Sequence, residues 1–223
     1  MRNVLTTTAV LVAGLSFATQ SNAEIFIGLQ ETGVNGGVLK TMATDTVITG
    51  FANFAGKYGV YTINAITAST PPASVDPLDS TAMNISSATP GELKVFVSAT
   101  DVPLSGAPQF LSSLTSNTLP TGWTAHLSTY WDAGNTAYAT TSQIGDQLFK
   151  GIGGDIDLAI VSHSGLISVT GIYDLTSNGS GTALSTLHVE TIKIPEPSSL
   201  FLLGASLTMM GMFAHRLKAK SRA

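Results

Sequence analysis

The chain has 223 residues and no cysteine, which excludes disulfide bonds, thiolate nucleophiles, cysteine-ligated zinc and iron–sulfur clusters. Its formal net charge is −4, but five of its ten basic residues lie in the terminal segments, and the part between them carries five lysines against thirteen acidic residues, or about −8. An acidic body without arginine repels phosphate backbones, so we exclude nucleic acid as a partner.

The N-terminal segment Met1–Ala23 has the pattern of a secretory signal peptide. Arg2 supplies a positive charge, and an apolar stretch follows from Val4 to Ala18. Small residues at Ser21 and Ala23 suit signal peptidase, so we predict cleavage between Ala23 and Glu24 and export through the general secretion machinery. An uncleaved anchor helix is the alternative, and the short, threonine-rich apolar core argues against it.

Residues 24–193 are long enough for one domain with a substantial core. Ten short runs in this part are rich in β-forming residues and are separated by Gly, Pro, Asn and Ser. They are Ile25–Leu29, Val38–Thr41, Thr46–Phe54, Tyr58–Thr67, Ala82–Ser86, Glu92–Ala99, Thr124–Tyr130, Asp155–Ser162, Leu166–Ile172 and Leu184–Ile192. Ten short strands without alternating helices predict an all-β fold, an antiparallel β-sandwich or jelly roll.

Many of these runs alternate with the period of two that a half-buried strand requires, and two show it well. One face of Glu92–Ala99 carries the aliphatic residues Leu93, Val95 and Val97. One face of Leu184–Ile192 carries Leu187, Val189 and Thr191, and the other carries His188, Glu190 and Ile192.

Two segments break the strand pattern. Ser69–Asp79 contains three prolines, which cannot donate ladder hydrogen bonds, and we predict a long surface loop there, with a hinge between two halves as the alternative. Pro108–Leu114 indicates a helical turn, because its apolar residues Phe110, Leu111 and Leu114 have helical spacing.

Two carboxylates, Asp155 and Asp157, are predicted to share one face of a strand about 6.6 Å apart. Such a pair can bind calcium, with Asp146 and Asp174 approaching, or serve a glycosidase as acid and nucleophile. A solvated strand edge after the Gly153–Gly154 turn is the simpler interpretation of the pair. The sequence contains no Asp-x-Asp-x-Asp-Gly loop to favour the metal.

Four aromatic residues, Trp123, Tyr130, Trp131 and Tyr138, lie within sixteen residues. If Trp123, Tyr130 and Trp131 were exposed and coplanar, they would form a stacking platform for sugar rings. Core or loop anchoring is the alternative interpretation.

No nucleophilic or phosphate-binding motif is found. The three histidines of this part, His126, His163 and His188, lack the context of a Ser-His-Asp triad, and there is no Gly-x-Ser-x-Gly elbow. Gly151–Gly154 neither ends in Gly-Lys-Ser/Thr nor precedes a helix, so it is not a phosphate loop. We predict no catalytic residue and therefore a protein that is not an enzyme and has no cofactor, with calcium as the alternative.

The C-terminal thirty residues combine a rigid motif, an apolar run and a basic tail. Pro195, Glu196 and Pro197 form a stiff extended tripeptide. The seventeen residues from Ser198 to Ala214 carry no charge, and as a helix they would be about 25 Å long, enough to span the hydrocarbon core of a bilayer at the short limit. The basic residues that would stop transfer are Arg216, Lys218, Lys220 and Arg222.

This order resembles the PEP-CTERM sorting signal of exported bacterial proteins, with Pro195–Ser199 matching its start and Leu203–Gly204 its Leu-Gly step. The resemblance implies an exosortase, an integral-membrane cysteine transpeptidase, that recognises residues 194–223 and removes the tail beyond the motif. The run Met209–Phe213 departs from the Gly-Leu-rich second half of the family, and an uncleaved C-terminal anchor is the alternative.

The region Glu92–Ile192 also resembles a group of PEP-CTERM proteins without assigned activity, chiefly in Phe110–Leu114, Thr118–Trp123 and Ile167–Leu175. Together the resemblances imply an exported protein of a Gram-negative bacterium, anchored transiently in the inner membrane, delivered to the cell surface or extracellular matrix and associated with exopolysaccharide or biofilm. A carbohydrate-binding module, a calcium-stabilised adhesin and a secreted hydrolase are the alternatives.

Overall fold

The computed structural model describes residues 23–45, 49–71, 76–104, 109–161 and 163–192. The predicted signal peptide before Ala23, the Pro-Glu-Pro motif, the apolar run and the basic tail lie outside the described residues. Among the residues described, no helix is long and apolar enough to cross a membrane.

Twelve strands account for most of the described chain, as the β-rich runs predicted. They are β1 (Glu24–Glu31), β2 (Lys40–Thr44), β3 (Phe51–Tyr58), β4 (Tyr61–Ser69), β5 (Leu78–Ser87), β6 (Pro90–Leu104), β7 (Gln109–Thr118), β8 (Thr124–Asp132), β9 (Ser142–Phe149), β10 (Gly153–Ile160), β11 (Gly165–Asn178) and β12 (Gly181–Ile192). A single 3₁₀ turn, Asn35–Gly37, lies between β1 and β2.

The strands form two six-stranded antiparallel sheets, which confirms the predicted β-sandwich. Sheet A has the order β2-β1-β6-β11-β8-β9, and sheet B has the order β10-β7-β12-β5-β4-β3. The consecutive strands β11 and β12 lie in different sheets, so the chain passes from the interior of sheet A to the interior of sheet B at residues 179–180.

The core lies between the sheets and is built from the alternating residues of each strand. The predicted face of β6 is confirmed, since Leu93, Val95 and Val97 are buried. On β12, Leu187 and Val189 are also buried, while Ile192 on the opposite face is 36% exposed. Alternation therefore identifies the inward side of both strands correctly, because only one face of each is covered by the other sheet.

Hydroxyl groups hold the two sheets together across the apolar core. Tyr61 on sheet B donates to the carbonyl of Leu175 on sheet A at 3.3 Å. Thr129 donates to Ser112 at 2.9 Å, and Ser185 donates to the hydroxyl of Tyr173 at 3.0 Å. Buried hydroxyls without partners would each be costly, so these pairs favour one particular alignment of the sheets.

Two strands are not predicted by the sequence, and one predicted helical turn is wrong. Residues 109–114 belong to strand β7, in which Phe110 and Leu114 point inward together with the buried Ser112. Strand β9 escapes prediction because Ile144 is its only large apolar residue that is buried. The predicted run Tyr58–Thr67 contains a turn at residues 59–60 that separates β3 from β4.

The proline-rich segment connects two strands that pair with each other in sheet B. Strand β4 continues to Ser69 and β5 begins at Leu78, so both ends of the predicted loop belong to strands. Ser69 pairs with Asp79, which places the described residues between them at the end of a hairpin.

The turn between β3 and β4 rests on a buried carboxylate. Glu31, 6% exposed, accepts a hydrogen bond from the amide of Val60 at 3.1 Å, and its second oxygen has no hydrogen-bond partner among the described residues. Burial raises the pKa of Glu31, and the Val60 amide opposes this effect. Gly59 has a φ of +57°, and a Cβ at this position would overlap the Glu31 carboxylate.

The loop between β8 and β9 folds over the outer face of sheet A. Tyr138 packs edge-on against Phe26 and Phe96, with ring centroids 6.2 and 6.0 Å away. The backbone carbonyl of Thr136 accepts a hydrogen bond from Ser168 at 2.7 Å. Tyr138 is therefore a loop anchor, as one interpretation of the aromatic residues held.

Asp132 fixes the base of this loop. Its carboxylate accepts hydrogen bonds from the Thr141 hydroxyl at 2.7 Å and from the Thr136 amide at 3.2 Å. The Thr141 hydroxyl, assisted by the amides of Thr136 and Gly134, holds the pKa of Asp132 below its ordinary value although burial opposes the shift.

Replacing Asp132 with alanine is expected to lower the free energy of unfolding by about 2 kcal/mol at pH 7. Because the folded-state pKa is depressed, the stabilisation is present above the unfolded-state value of about 3.9 and is lost as the pH falls through the folded-state value. Urea unfolding at pH 7 and at low pH measures the difference. Asp155→Ala, at an exposed site, is the control and should change stability by less than about 0.5 kcal/mol. An Asp132→Ala penalty that persists in acid would contradict the assignment.

Candidate functional site

The predicted carboxylate pair lies on edge strand β10, where each carboxylate has a local role. Asp157 accepts hydrogen bonds from the Asp146 amide at 3.1 Å and from the Gln147 side chain at 3.0 Å, and so joins β10 to edge strand β9 of the other sheet. Asp155 is exposed and accepts from the amide of Ile156 at 2.7 Å. Asp157 alone therefore links the two edge strands, whereas Asp155 makes only a local contact within β10.

The carboxylates of Asp146 and Asp174, expected to approach this pair, contact other groups. An oxygen of Asp146 lies 2.6 Å from Nε2 of His126, and Asp174 lies 3.1 Å from Nζ of Lys94. The described residues do not bring Asp155 and Asp157 into a group of three converging metal ligands. The carboxylate set predicted for calcium is therefore not assembled.

The predicted stacking platform is not assembled either. Trp123 is 1% exposed and belongs to the core, so its ring has no face to offer a sugar. Tyr130 and Trp131 are half-buried neighbours on β8 and therefore point to opposite sides of sheet A. Trp131 packs against the core and against the ring of His163 at 5.9 Å. The three aromatic rings do not share one surface.

An open polar groove lies on the outer face of sheet A. Its lining residues are Glu92, Thr124, His126, Leu148, Asp174 and Thr176. Lys94 lies beside it, 3.1 Å from Asp174 and 3.7 Å from Glu92. The Asp174 carboxylate, with Glu92 as the weaker contributor, raises the pKa of Lys94. The groove offers carboxylates, hydroxyls and an imidazole to a polar ligand.

Four ionisable side chains come together on the outer face of sheet B, and we call them the His188 cluster: Asp76, Asp79, His188 and Glu190. His188 and Glu190 are two residues apart on β12, and Asp79 on β5 is the direct neighbour of His188. Asp76 precedes β5. Strand alternation and strand pairing thus bring residues from distant parts of the chain onto one face.

Carboxylates lie next to both nitrogens of the His188 ring. Nε2 is 3.5 Å from Glu190 and 3.7 Å from Asp76, and Nδ1 is 3.7 Å from Asp79. One ligand atom each from Asp76, His188 and Glu190 lies within 4.8 Å of the others. Among the described residues, this is the arrangement of His and carboxylate groups that could hold a metal ion.

Partial burial shapes the electrostatics of the cluster. The four side chains are between 21% and 39% exposed. Burial raises the pKa of Asp79 and the Asp76 carboxylate adds to this, whereas the neighbouring His188 imidazole acts in the opposite direction.

The sequence contains part of the signal for this cluster. The alternation in Leu184–Ile192 places His188 and Glu190 on the same face. Asp76 and Asp79 lie in the segment interpreted as a proline-rich loop, and nothing in their spacing indicates that they meet β12. The pairing of β5 with β12 brings Asp76 and Asp79 next to His188 and Glu190.

No family model matches the chain, and no curated protein matches it. Among solved structures, it is similar to the enzymatically active domain of tailspike protein 4 of bacteriophage CBA120, with 12% identity, a TM-score of 0.37 and coverage of 65% of this chain and 20% of that one. This chain thus spans about a fifth of the tailspike chain.

Two further structures show a similar degree of likeness. One is a carbohydrate-binding module of the β-sandwich superfamily, with 7% identity, a TM-score of 0.30 and coverage of 75% of this chain and 85% of that one. The other is from infectious bursal disease virus strain Gx, with 10% identity, a TM-score of 0.25 and coverage of 78% and 52%. At these scores the neighbours fix neither a family nor an activity for this chain.

Proposed function

We propose that the chain is an exported, non-enzymatic surface protein whose β-sandwich is delivered to the cell surface or extracellular matrix by its PEP-CTERM-like tail. The observation that carries the proposal is the order of Pro195-Glu196-Pro197, apolar run and basic tail, which starts three residues after the last residue of β12, Ile192. Signal peptidase and an exosortase are the processing partners.

The contacts of His126 argue against a nucleophilic triad at this residue. The His126 imidazole and the Ser128 hydroxyl both approach Asp146 Oδ1, at 2.6 and 2.8 Å. In a nucleophilic triad the serine would instead be hydrogen-bonded to the histidine. The histidine of the His188 cluster is surrounded by carboxylates.

The residues predicted to bind sugar or calcium do not come together in the structure. Trp123 is buried, and Tyr130 and Trp131 point to opposite sides of a sheet, so a carbohydrate-binding module would have to work without the predicted platform. Association with exopolysaccharide, which the family resemblance implies, would use polar contacts such as those in the groove of sheet A. The calcium-stabilised adhesin would likewise lack the predicted carboxylate set.

The sorting proposal predicts a change in mass that depends on the motif. In a host with an exosortase, we expect the exported protein to lack the apolar run and basic tail and to co-purify with the exopolysaccharide fraction. Replacing Pro195, Glu196 and Pro197 with alanine should leave Ala223 attached and retain the protein in the inner membrane. Intact-mass spectrometry of each fraction measures both outcomes.

A matched substitution separates the motif from a general effect of proline loss. Pro90→Ala changes an exposed proline at the start of β6 and should leave processing unchanged. Wild-type protein recovered outside the cells with Ala223 still attached would overturn the proposal, as would identical processing in a strain that lacks the exosortase.

A further inference from the structure

The spacing within the His188 cluster differs from that of an ordinary histidine–carboxylate hydrogen bond. Such charge-assisted bonds join nitrogen and oxygen at about 2.7–2.9 Å. His126 makes a contact of this kind in the same protein, 2.6 Å from Asp146. Nε2 of His188, in contrast, remains 3.5 Å from Glu190 and 3.7 Å from Asp76.

These longer distances match the separation between two ligands of one metal ion. Nitrogen and oxygen atoms that each lie about 2.0–2.1 Å from a tetrahedral zinc ion are about 3.4 Å from one another. Nε2 of His188 has this separation, within a few tenths of an ångström, from both carboxylates. The oxygens of Asp76 and Glu190 also lie within 4.8 Å of each other, so all three ligand atoms are close enough to approach one ion.

Asp79 completes the arrangement from the other side of the ring. Histidines that bind a metal through one nitrogen commonly present the other nitrogen to a carboxylate, which fixes the orientation of the ring. Asp79 lies next to Nδ1 of His188, while Nε2 faces the two carboxylates that would share the metal. Asp79 is 3.7 Å from Nδ1, so a shift of about 1 Å would bring it to hydrogen-bond distance and leave each ring nitrogen facing the groups that such a site requires.

Charge favours a bound cation. Asp76, Asp79 and Glu190 place three carboxylates beside one imidazole. A divalent ion would be attracted to the point where these carboxylates converge. The partial exposure of all four side chains leaves access for the ion and for a water molecule.

We propose that Asp76, His188 and Glu190 bind a zinc-type divalent cation, with water completing the coordination and Asp79 orienting the histidine. One imidazole nitrogen with two carboxylate oxygens suits zinc and its neighbours in the transition series, whereas calcium and magnesium take oxygen ligands. The bound ion would link the residues that lead into β5 to strand β12 and stabilise the folded state by mass action.

Calorimetric titration of the full-length chain with Zn²⁺, in mild detergent after removal of metal with a chelator, tests the proposal. We expect one saturable site per chain and an increase in melting temperature on binding. His188→Ala should weaken binding by about 100-fold or more, and Asp79→Asn by about 10-fold. Co²⁺ bound in place of Zn²⁺ should show the visible absorption of a low-symmetry site, and His188→Ala should abolish it.

His126→Ala is the matched control, because His126 is also partly exposed and also contacts a carboxylate. It should leave zinc affinity within about twofold of the wild type. Glu190→Gln, which preserves shape, should also weaken binding while circular dichroism shows a folded protein, so that loss of folding cannot explain the result. The proposal fails if zinc does not saturate, if His126→Ala weakens binding as much as His188→Ala, or if calcium displaces zinc at equal concentration. None of these outcomes bears on the sorting proposal, which is tested in cells.

Discussion

Replacing Trp123 with alanine is expected to lower the free energy of unfolding by about 3–5 kcal/mol. Trp123 is 1% exposed and is among the largest fully buried side chains of the protein. Its ring lies where the β7–β8 connection meets the start of β12, so close that a Cβ on Gly181 would be 3.1 Å from it and 2.6 Å from Pro120. Removing the indole would leave a cavity. The close-packed residues around it could relax to fill this cavity only in part.

A loss of this size is a large part of the roughly 5–15 kcal/mol that stabilises a typical domain. Urea unfolding followed by far-ultraviolet circular dichroism measures it without relying on tryptophan fluorescence. Trp131→Ala is the matched control, because Trp131 is only half-buried at the margin of the core and should cost less. Equal losses for the two variants would contradict the assignment of Trp123 as a central core residue.

Gly59→Ala is expected to cost about 3 kcal/mol in free energy of unfolding. A residue other than glycine at a φ of +57° costs about 1 kcal/mol, and the new Cβ would also displace the Glu31 carboxylate from its hydrogen bond with Val60, which adds about 2 kcal/mol. Thermal or urea unfolding of the variant measures the sum.

Two comparisons separate these contributions. Gly33 has a φ of +88°, and a Cβ added there would meet no atom within 4 Å, so Gly33→Ala should cost only about 1 kcal/mol. In a Glu31→Ala background the cost of Gly59→Ala should fall to a similar value, since the obstructing carboxylate is gone. If Gly59→Ala costs the same with and without Glu31, contact with Glu31 is not the cause.

The fold can be predicted from the sequence where one face of a strand is apolar and the other polar. Strand β6 is identified this way, because Leu93, Val95 and Val97 alternate with polar residues over most of the run. Strand β7 is not, because two of its inward positions are Ser112 and Ser116, so that polar residues occupy the core face. Ser112 is tolerated in the core because it accepts a hydrogen bond from Thr129 on the opposite sheet. The sequence of β7 alone does not identify this partner.

The candidate site can be predicted only in part for a related reason. Local alternation places His188 and Glu190 on one face, and this needs no knowledge of other strands. The approach of Asp76 depends on the order of strands in sheet B, which is set by long-range pairing. For Trp123 and Trp131, closeness in sequence indicates a shared surface that the structure does not show. Trp123 lies at the turn before β8, and Trp131 lies near the end of β8.

The position of β12 has a mechanical consequence. This strand lies between β5 and β7 and is hydrogen-bonded to both along most of its length. Tension applied beyond Ile192, as in a protein held at its C-terminal side, would run along the strand axis and load two ladders in shear at once. An edge strand under the same pull would be held by a single ladder, whereas here two ladders must yield together.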